Sequence, residues 1–225
     1  MTGLLDDRAL HASSVVANCA MNRERQLAGV NSYARELGFD PVAWLAALPG
    51  EGVGWLDLCC GSGRALLQAA ERVRADAELV GVDLVDAFLP HKAAPRTGGP
   101  VLVAAPIESW TPERLFDLIT CVHGLHYVGD KLGVLGRVVS WLTPGGRFVA
   151  DLDLDSVRVG EGRVAGRRLA SHLRAAGIDY DGRRKRISCA GARKLSLPYE
   201  YLGADDRAGP NYTGQPAVHS HYRPK

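Results

Sequence analysis

The sequence predicts an α/β fold built on a mostly parallel sheet, and three observations carry that expectation. Between residues 53 and 150, apolar runs of strand length alternate with helical patterns, as a parallel sheet with crossover helices requires. The first run, Trp55-Leu56-Asp57-Leu58, breaks into Cys59-Cys60-Gly61-Ser62-Gly63 and restarts as a helical pattern at Arg64. That is a strand–loop–helix unit, with glycines where the backbone turns tightly and approaches a ligand. The second run, Leu79-Val80-Gly81-Val82-Asp83, ends in an acid about 20 residues past the glycines, where a doubly wound sheet hydrogen-bonds a ribose.

At 225 residues the chain can bury a substantial core, and one domain is expected. An apolar content of 46% with 23% charged residues is ordinary for a soluble globular protein. A formal charge of +2 argues against a dedicated nucleic-acid binder. The one basic run, Arg183–Arg186, sits beside Asp179 and Asp181 and reads as a solvated strand edge. No apolar stretch is long enough for a bilayer and the N-terminus lacks a signal-type segment, so a cytoplasmic protein with no membrane partner is expected. Cys19, Cys59, Cys60, Cys121 and Cys189 are odd in number and fit neither a zinc cluster nor a disulfide framework. Reduced, buried thiols are the economical expectation.

Taken in order, residues 1–50 read as helical, with Val15, Val16, Cys19, Leu27, Val30, Tyr33 and Leu37 as a broken apolar stripe. Gly38 stops that pattern, and Pro41 starts another in its first turn. Strands are expected at 53–58, 79–83, 101–104, 115–121 and 146–153, with helices over 64–74, part of 86–92, 130–142 and 161–177. Pro144-Gly145-Gly146 reads as a turn before the fifth strand. Asp151, Asp153 and Asp155 alternate along that strand's end and could hold a metal. Leu152 and Leu154 between them read as a buried face, so a solvated or pocket-rim role with no metal is expected. The tail from Gly209 to Tyr222 is punctuated by Gly and Pro, and reads either as a plain terminal wrap or as a wall of the pocket.

The run Leu56-Asp57-Leu58-Cys59-Cys60-Gly61-Ser62-Gly63 closely resembles the first motif of class I S-adenosylmethionine (SAM)-dependent methyltransferases. That family usually has a glycine where Cys59 stands. A dinucleotide enzyme would place a third glycine at Leu66. Phe116-Asp117-Leu118-Ile119 leading to Leu125-His126-Tyr127, and Leu142-Thr143-Pro144-Gly145-Gly146-Arg147-Phe148, resemble further motifs of the same family. The resemblance covers about residues 50–202. It implies a seven-stranded doubly wound, mostly parallel sheet of order 3-2-1-4-5-7-6 with the last strand antiparallel, and N-terminal cap helices. Residues 186–189 and 194–201 would supply the sixth and seventh strands. The implied organisation is a helical lid over 1–50, a SAM-binding domain over 51–202 and a tail over 203–225.

The resemblance also implies roles. Gly61, Ser62 and Gly63 would hold the methionine end of SAM, and Asp83 the ribose. Ile107 and Glu108 would serve the adenine side, because Pro106 stands where the family has an acid. Asp57, Cys59, Leu84 and Cys121 complete the expected cofactor contacts. His123 and His126 follow the fourth strand, beside the methionine portion, and are candidate general bases; His126 reads equally as a packing residue. Arg23, Arg25, Asn31 and Tyr33 from the N-terminal helices, with Tyr212, Gln215 and His219 from the tail, would contact a second ligand. The expected activity is methyl transfer to an O, N or C atom of a small molecule, by a monomer or homodimer without nucleic-acid partners. Alternatives are a SAM-fold enzyme catalysing a cyclisation or rearrangement, and a nicotinamide oxidoreductase, which Leu66 disfavours.

Overall fold

A computed structural model of the chain describes residues 3–17, 25–90 and 99–225. Among the described residues, the N-terminal region is helical in four short pieces: α1 (Asp7–His11), α2 (Ser14–Ala17), α3 (Tyr33–Leu37) and α4 (Pro41–Ala46). The expected broken stripe is interrupted by a loop at 26–32. There Gln26 N–H donates to Asn31 O at 3.2 Å and Tyr33 N–H to Gln26 O at 3.0 Å, closing a loop around Gly29 at φ 109°. Val30, counted in the stripe, is 83% exposed. Ser32 then caps α3 through Arg35 N–H, and Gly38 ends it at φ 79°.

Seven strands form the main sheet: β1 (Gly54–Leu58), β2 (Glu78–Asp83), β3 (Val101–Ala104), β4 (Phe116–Cys121), β5 (Leu142–Asp151), β8 (Asp179–Asp181) and β9 (Arg186–Ala190). Their order is β3-β2-β1-β4-β5-β9-β8, parallel through β5, with β9 antiparallel to both β5 and β8. The expected order therefore holds, with a correction to its last two strands. Residues 186–190 are the seventh strand, beside β5, and the short segment 179–181 is the sixth, at the edge. The stretch expected as the seventh leaves this sheet altogether.

Strand β1 is buried at every position because strands and helices cover it on all sides, which is why its sequence is apolar on both faces. On one side Leu56, Leu58, Ile119 and Phe148 pack with α6 (Lys131–Val138) and α7 (Gly166–Ala175). On the other, Trp55, Leu79, Leu118 and Val149 pack with α3, α4 and α5 (Arg64–Ala70). The expected helix over 161–177 shortens to α7, and none forms over 86–90; residues 91–92 lie outside the described residues. Pro144-Gly145-Gly146 lies within β5 rather than in a turn. A Cβ at Gly146 would come 2.8 Å from Phe116 O, so that glycine lets β5 pass its neighbour where the register shifts.

A second sheet of order β10-β11-β6-β7 joins β6 (Val157–Val159), β7 (Arg163–Val164), β10 (Tyr199–Asp205) and β11 (His219–Pro224). The C-terminal region is thus a paired strand, and β10 runs across residue 202. Lys131, at the start of α6 and almost fully buried, donates from Nζ to Val128 O (2.9 Å), Val218 O (2.8 Å) and Ser220 Oγ (2.8 Å). Burial pushes its amine down to about 7 against the opposing pull of Glu108, Asp153 and Asp130. The Tyr222 hydroxyl adds a second tie, donating to Asp130 and accepting from Leu132 N–H. Among the described residues, no helix is long and apolar enough to cross a membrane.

Candidate active site

Sheet order reverses between β1 and β4, and a crevice opens outside the carboxyl ends of the strands at that point. A cleft of about 630 Å³, part of it open to solvent, lies there. The size suits a nucleoside-sized ligand. Seven of the expected cofactor and catalytic residues line it: Cys59, Gly61, Asp83, Leu84, Ile107, Glu108 and His123.

The floor is the loop after β1. Cys59 (φ 55°), Gly61 (φ 61°) and Gly63 (φ 74°) all take left-handed backbone, so the chain turns in a space that ordinary residues would fill. Gly61 N–H donates to Asp83 Oδ2 at 2.9 Å, and Val85 N–H to Oδ1 at 3.1 Å, fixing the carboxylate at the tip of β2. A carboxylate at this place is the kind of acceptor that ribose hydroxyls require. At Gly63 a Cβ would meet Leu102 Cδ1 at 2.8 Å, so its constraint is the neighbouring strand's packing. Leu66 fills the place of the third glycine because Gly81 opposite it lacks a side chain: a Cβ on Gly81 would lie 2.7 Å from Leu66 Cδ1.

The side wall is the segment after β3. Ile107 is buried, and Arg137 of α6 holds the turn by donating to the carbonyls of Glu108 and Trp110. Glu108 Oε1 lies 3.5 Å from His11 Nε2. His11 and Val16 join the lining from α1 and α2, and no motif in the sequence marked them.

Several expected site residues stand elsewhere. Asp57 is fully buried beneath the loop, accepting from Tyr33 OH (2.6 Å) and Thr120 Oγ1 (2.6 Å), while Thr120 accepts from Trp55 Nε1. Burial raises its carboxyl to about 7, the two hydrogen bonds opposing it. Tyr33, expected to face a second ligand, is instead a core residue whose hydroxyl is committed to Asp57. Ser62, within the loop, and Cys121, at the end of β4, are both buried. Asn31 holds Arg25 at 2.7 Å, and Arg25 in turn reaches Glu36 Oε1 at 3.3 Å. His219 sits in the second sheet, accepting from Arg158 Nε at 3.2 Å, and does not line the cleft. Arg23 lies outside the described residues.

The acceptor end of the cleft is built around His123, which follows β4 in left-handed backbone at φ 58°. Its N–H donates to Asp151 Oδ2 at 3.0 Å. Its Nε2 lies 3.5 Å from Glu36 Oε2 and 3.9 Å from Asp151 Oδ2. His126 packs beside it with ring centroids 5.6 Å apart, and Tyr212 closes on both rings at 6.4 and 5.5 Å. Burial, then the charges of His123, Lys131 and Arg25, push His126 down to about 3, so its imidazole is neutral. Both its ring nitrogens are buried without a hydrogen-bond partner. Gly124 between the histidines is obligatory here: a Cβ would fall 2.3 Å from Cys59 Cβ and 2.7 Å from Cys121 Sγ. The acidic row divides, because the turn at 154–156 breaks the strand's alternation. Asp153 and Asp155 share Lys185 at 2.8 and 3.3 Å, whereas Asp151 serves His123. Glu36 was invisible as a site residue, since nothing in the spacing of α3 separates it from a solvated helix charge.

Comparison with known proteins agrees with this geometry. A family profile described as a methyltransferase domain matches residues 56–148. The 2-phytyl-1,4-naphtoquinone methyltransferase of Synechococcus elongatus is 31% identical over 186 residues, covering 79% of this chain and 72% of its own. The demethylmenaquinone methyltransferase of Lysinibacillus sphaericus is 29% identical over 147 residues, covering 63% and 62%. Among solved structures, the SAM-bound amino pentose methyltransferase of Micromonospora echinaspora is 25% identical, covering 53% of this chain and 50% of that one, with a TM-score of 0.41. A crevice at the switch point, a carboxylate at the tip of β2 and a relative matched across most of both chains lead to one conclusion: this chain belongs to the SAM-dependent methyltransferases.

Proposed function

We propose that the chain transfers a methyl group from SAM to an O, N or C atom of a small molecule whose acceptor part is a flat ring. The observation that carries this reading is the junction of two sets of residues in one cleft. Gly61 and Asp83 line it together with His123, against whose ring His126 and Tyr212 pack from behind. SAM supplies an activated methyl on a sulfonium centre, so the chain's task is alignment and exclusion of water. In this reading Gly61, Ser62 and Gly63, with Cys59 and Cys121, set the methionine end, and Asp83 takes the ribose hydroxyls. Leu84, Ile107 and Glu108 form the adenine side. Asp57 supports the loop from below through Tyr33 and Thr120. The cluster around His123 handles the acceptor's proton, and the neutral His126 and Tyr212 hold the His123 ring in place. The names of the two quinone-modifying relatives fit a ring-shaped acceptor. The same reading has a cytoplasmic monomer or homodimer without nucleic-acid partners, supported by the charge of +2 and the free thiols Cys59, Cys60, Cys121 and Cys189.

The test is calorimetry with SAM and S-adenosylhomocysteine. Asp83→Ala should weaken binding about ten- to a hundredfold, from the loss of roughly 1.5–3 kcal/mol of charge-assisted hydrogen bonding. His123→Ala should leave that affinity within a few-fold while turnover of a ring acceptor collapses. Unchanged SAM affinity in a folded Asp83→Ala protein would overturn the assignment.

A further inference from the structure

Glu36, His123 and Asp151 come from three separate elements: α3, the tip of β4 and the end of β5. One donor atom from each lies within 4.8 Å of the other two. The imidazole is 6% exposed, and its Nε2 points between the two carboxylates with no hydrogen-bond partner. An orphaned nitrogen buried against two acids is costly unless something positive satisfies all three. The two carboxylates are also held in place by neighbouring donors, as metal ligands commonly are. Asp151 Oδ2 accepts the His123 N–H, and Glu36 Oε1 is held by Arg25, which leaves Oε2 for the interior.

We propose that Glu36, His123 and Asp151 bind a divalent metal ion beside the cleft, at the edge that His123 lines. One nitrogen and two carboxylate oxygens suit Mn²⁺, Fe²⁺ or Zn²⁺ better than Ca²⁺, which prefers an all-oxygen shell. Donors about 2.0–2.2 Å from a shared ion sit roughly 3.0–3.7 Å apart at ordinary coordination angles. The observed 3.5 and 3.9 Å need only a small inward rotation, and the part-exposed Glu36 side chain has room to make it. Three protein ligands leave coordination positions for an acceptor oxygen. An acceptor hydroxyl held there has its pKa lowered and loses its proton to solvent. The oxygen then bonds to the methyl carbon while the carbon–sulfur bond breaks, its electron pair staying on sulfur. This refines the reading above at the same site, and it makes His123 a ligand rather than a free base.

Binding can be measured without turnover. Mn²⁺ is titrated into the full chain saturated with S-adenosylhomocysteine, and free ion is read by electron paramagnetic resonance. One saturable site per chain is expected, with Zn²⁺ competing for it. Glu36→Gln and Asp151→Asn should each weaken it about tenfold or more, and Asp155→Asn, in the Lys185 cluster, should leave it unchanged. If Asp151→Asn fails to fold, Glu36→Gln decides, since that side chain is part exposed on a short helix. No saturable binding below about 1 mM, or binding that survives Glu36→Gln, overturns the ion site. Because the assay holds the cofactor product constant, that result would leave the Asp83 assignment standing.

Discussion

Lys131→Met tests the tie between α6 and the C-terminal strand. The amine meets two carbonyls and one hydroxyl. Neutral lysine has two N–H donors and one lone pair, so it satisfies that set when the Ser220 hydroxyl donates to it. The ammonium satisfies the set as well, but carries its charge into the core. In the unfolded chain the amine titrates at 10.5, against about 7 in the fold. The gap corresponds to about 5 kcal/mol of opposition to the charged form, to order of magnitude. Below pH 7 both states are protonated and the fold bears this cost in full. Between pH 7 and 10.5 the unfolded chain binds the extra proton, so stability rises with pH by about 1.4 kcal/mol per unit. Methionine does not titrate. The stability of the natural chain minus that of Lys131→Met should therefore rise by roughly 2.5 kcal/mol from pH 7 to pH 9. Urea unfolding at fixed ionic strength gives both values, and the subtraction cancels the thiols and tyrosines that titrate in the same range. A difference that stays flat from pH 6 to 9 would refute the buried, depressed amine.

Two further substitutions probe the loop. Gly124→Ala should destabilise by about 1–3 kcal/mol and weaken SAM binding, because its methyl collides with Cys59 Cβ. Adding Cys59→Gly should restore part of both in thermal melts with and without SAM, the contact with Cys121 Sγ at 2.7 Å remaining, and no recovery would mean that the collision with Cys59 is not the cause. Tyr33→Phe leaves one oxygen of buried Asp57 unpaired and should cost about 1–3 kcal/mol in denaturant unfolding, with SAM affinity falling only as the loop loosens; a loss of affinity without any loss of stability would return Tyr33 to the ligand.

What was legible in the sequence was what neighbours in the chain decide. Glycines at positive φ, an acid ending β2 and the apolar runs of β1, β2 and β4 announce themselves because local backbone chemistry demands those residues. The sixth strand escaped notice because Asp179-Tyr180-Asp181 is a short edge segment with no apolar run. Residues 194–201 were placed in the wrong sheet because they read as a strand, while the strand that forms there, Tyr199–Asp205, pairs with β11, a later part of the chain. At the acceptor end, Glu36, His123 and Asp151 converge from positions with no common spacing. Only the crossing of α3 over the strand tips brings them together. Tyr33 misled for the opposite reason: a polar group in an N-terminal helix reads as pocket-facing until a buried acid is found to need it. Removing residues 209–225 would accordingly take β11 with it and strip Lys131 of two of its partners, a folding defect rather than the loss of a detachable lid.

The contact between Leu66 and Gly81 has a bearing on how such chains are classified. Helix α5 and strand β2 need one small residue between them, and the fold is indifferent to which element supplies it. Here the strand does, so the large side chain falls on the helix at the place where a fingerprint would look for glycine. The joint is shared with Cys60 and Leu102, each 2.8 Å from where a Cβ on Gly81 would fall, so a larger residue on the strand would need all three neighbours to give way. A motif scored along the loop alone would count Leu66 as a missing feature, whereas a score over the pair would count it as the same joint built from the other side.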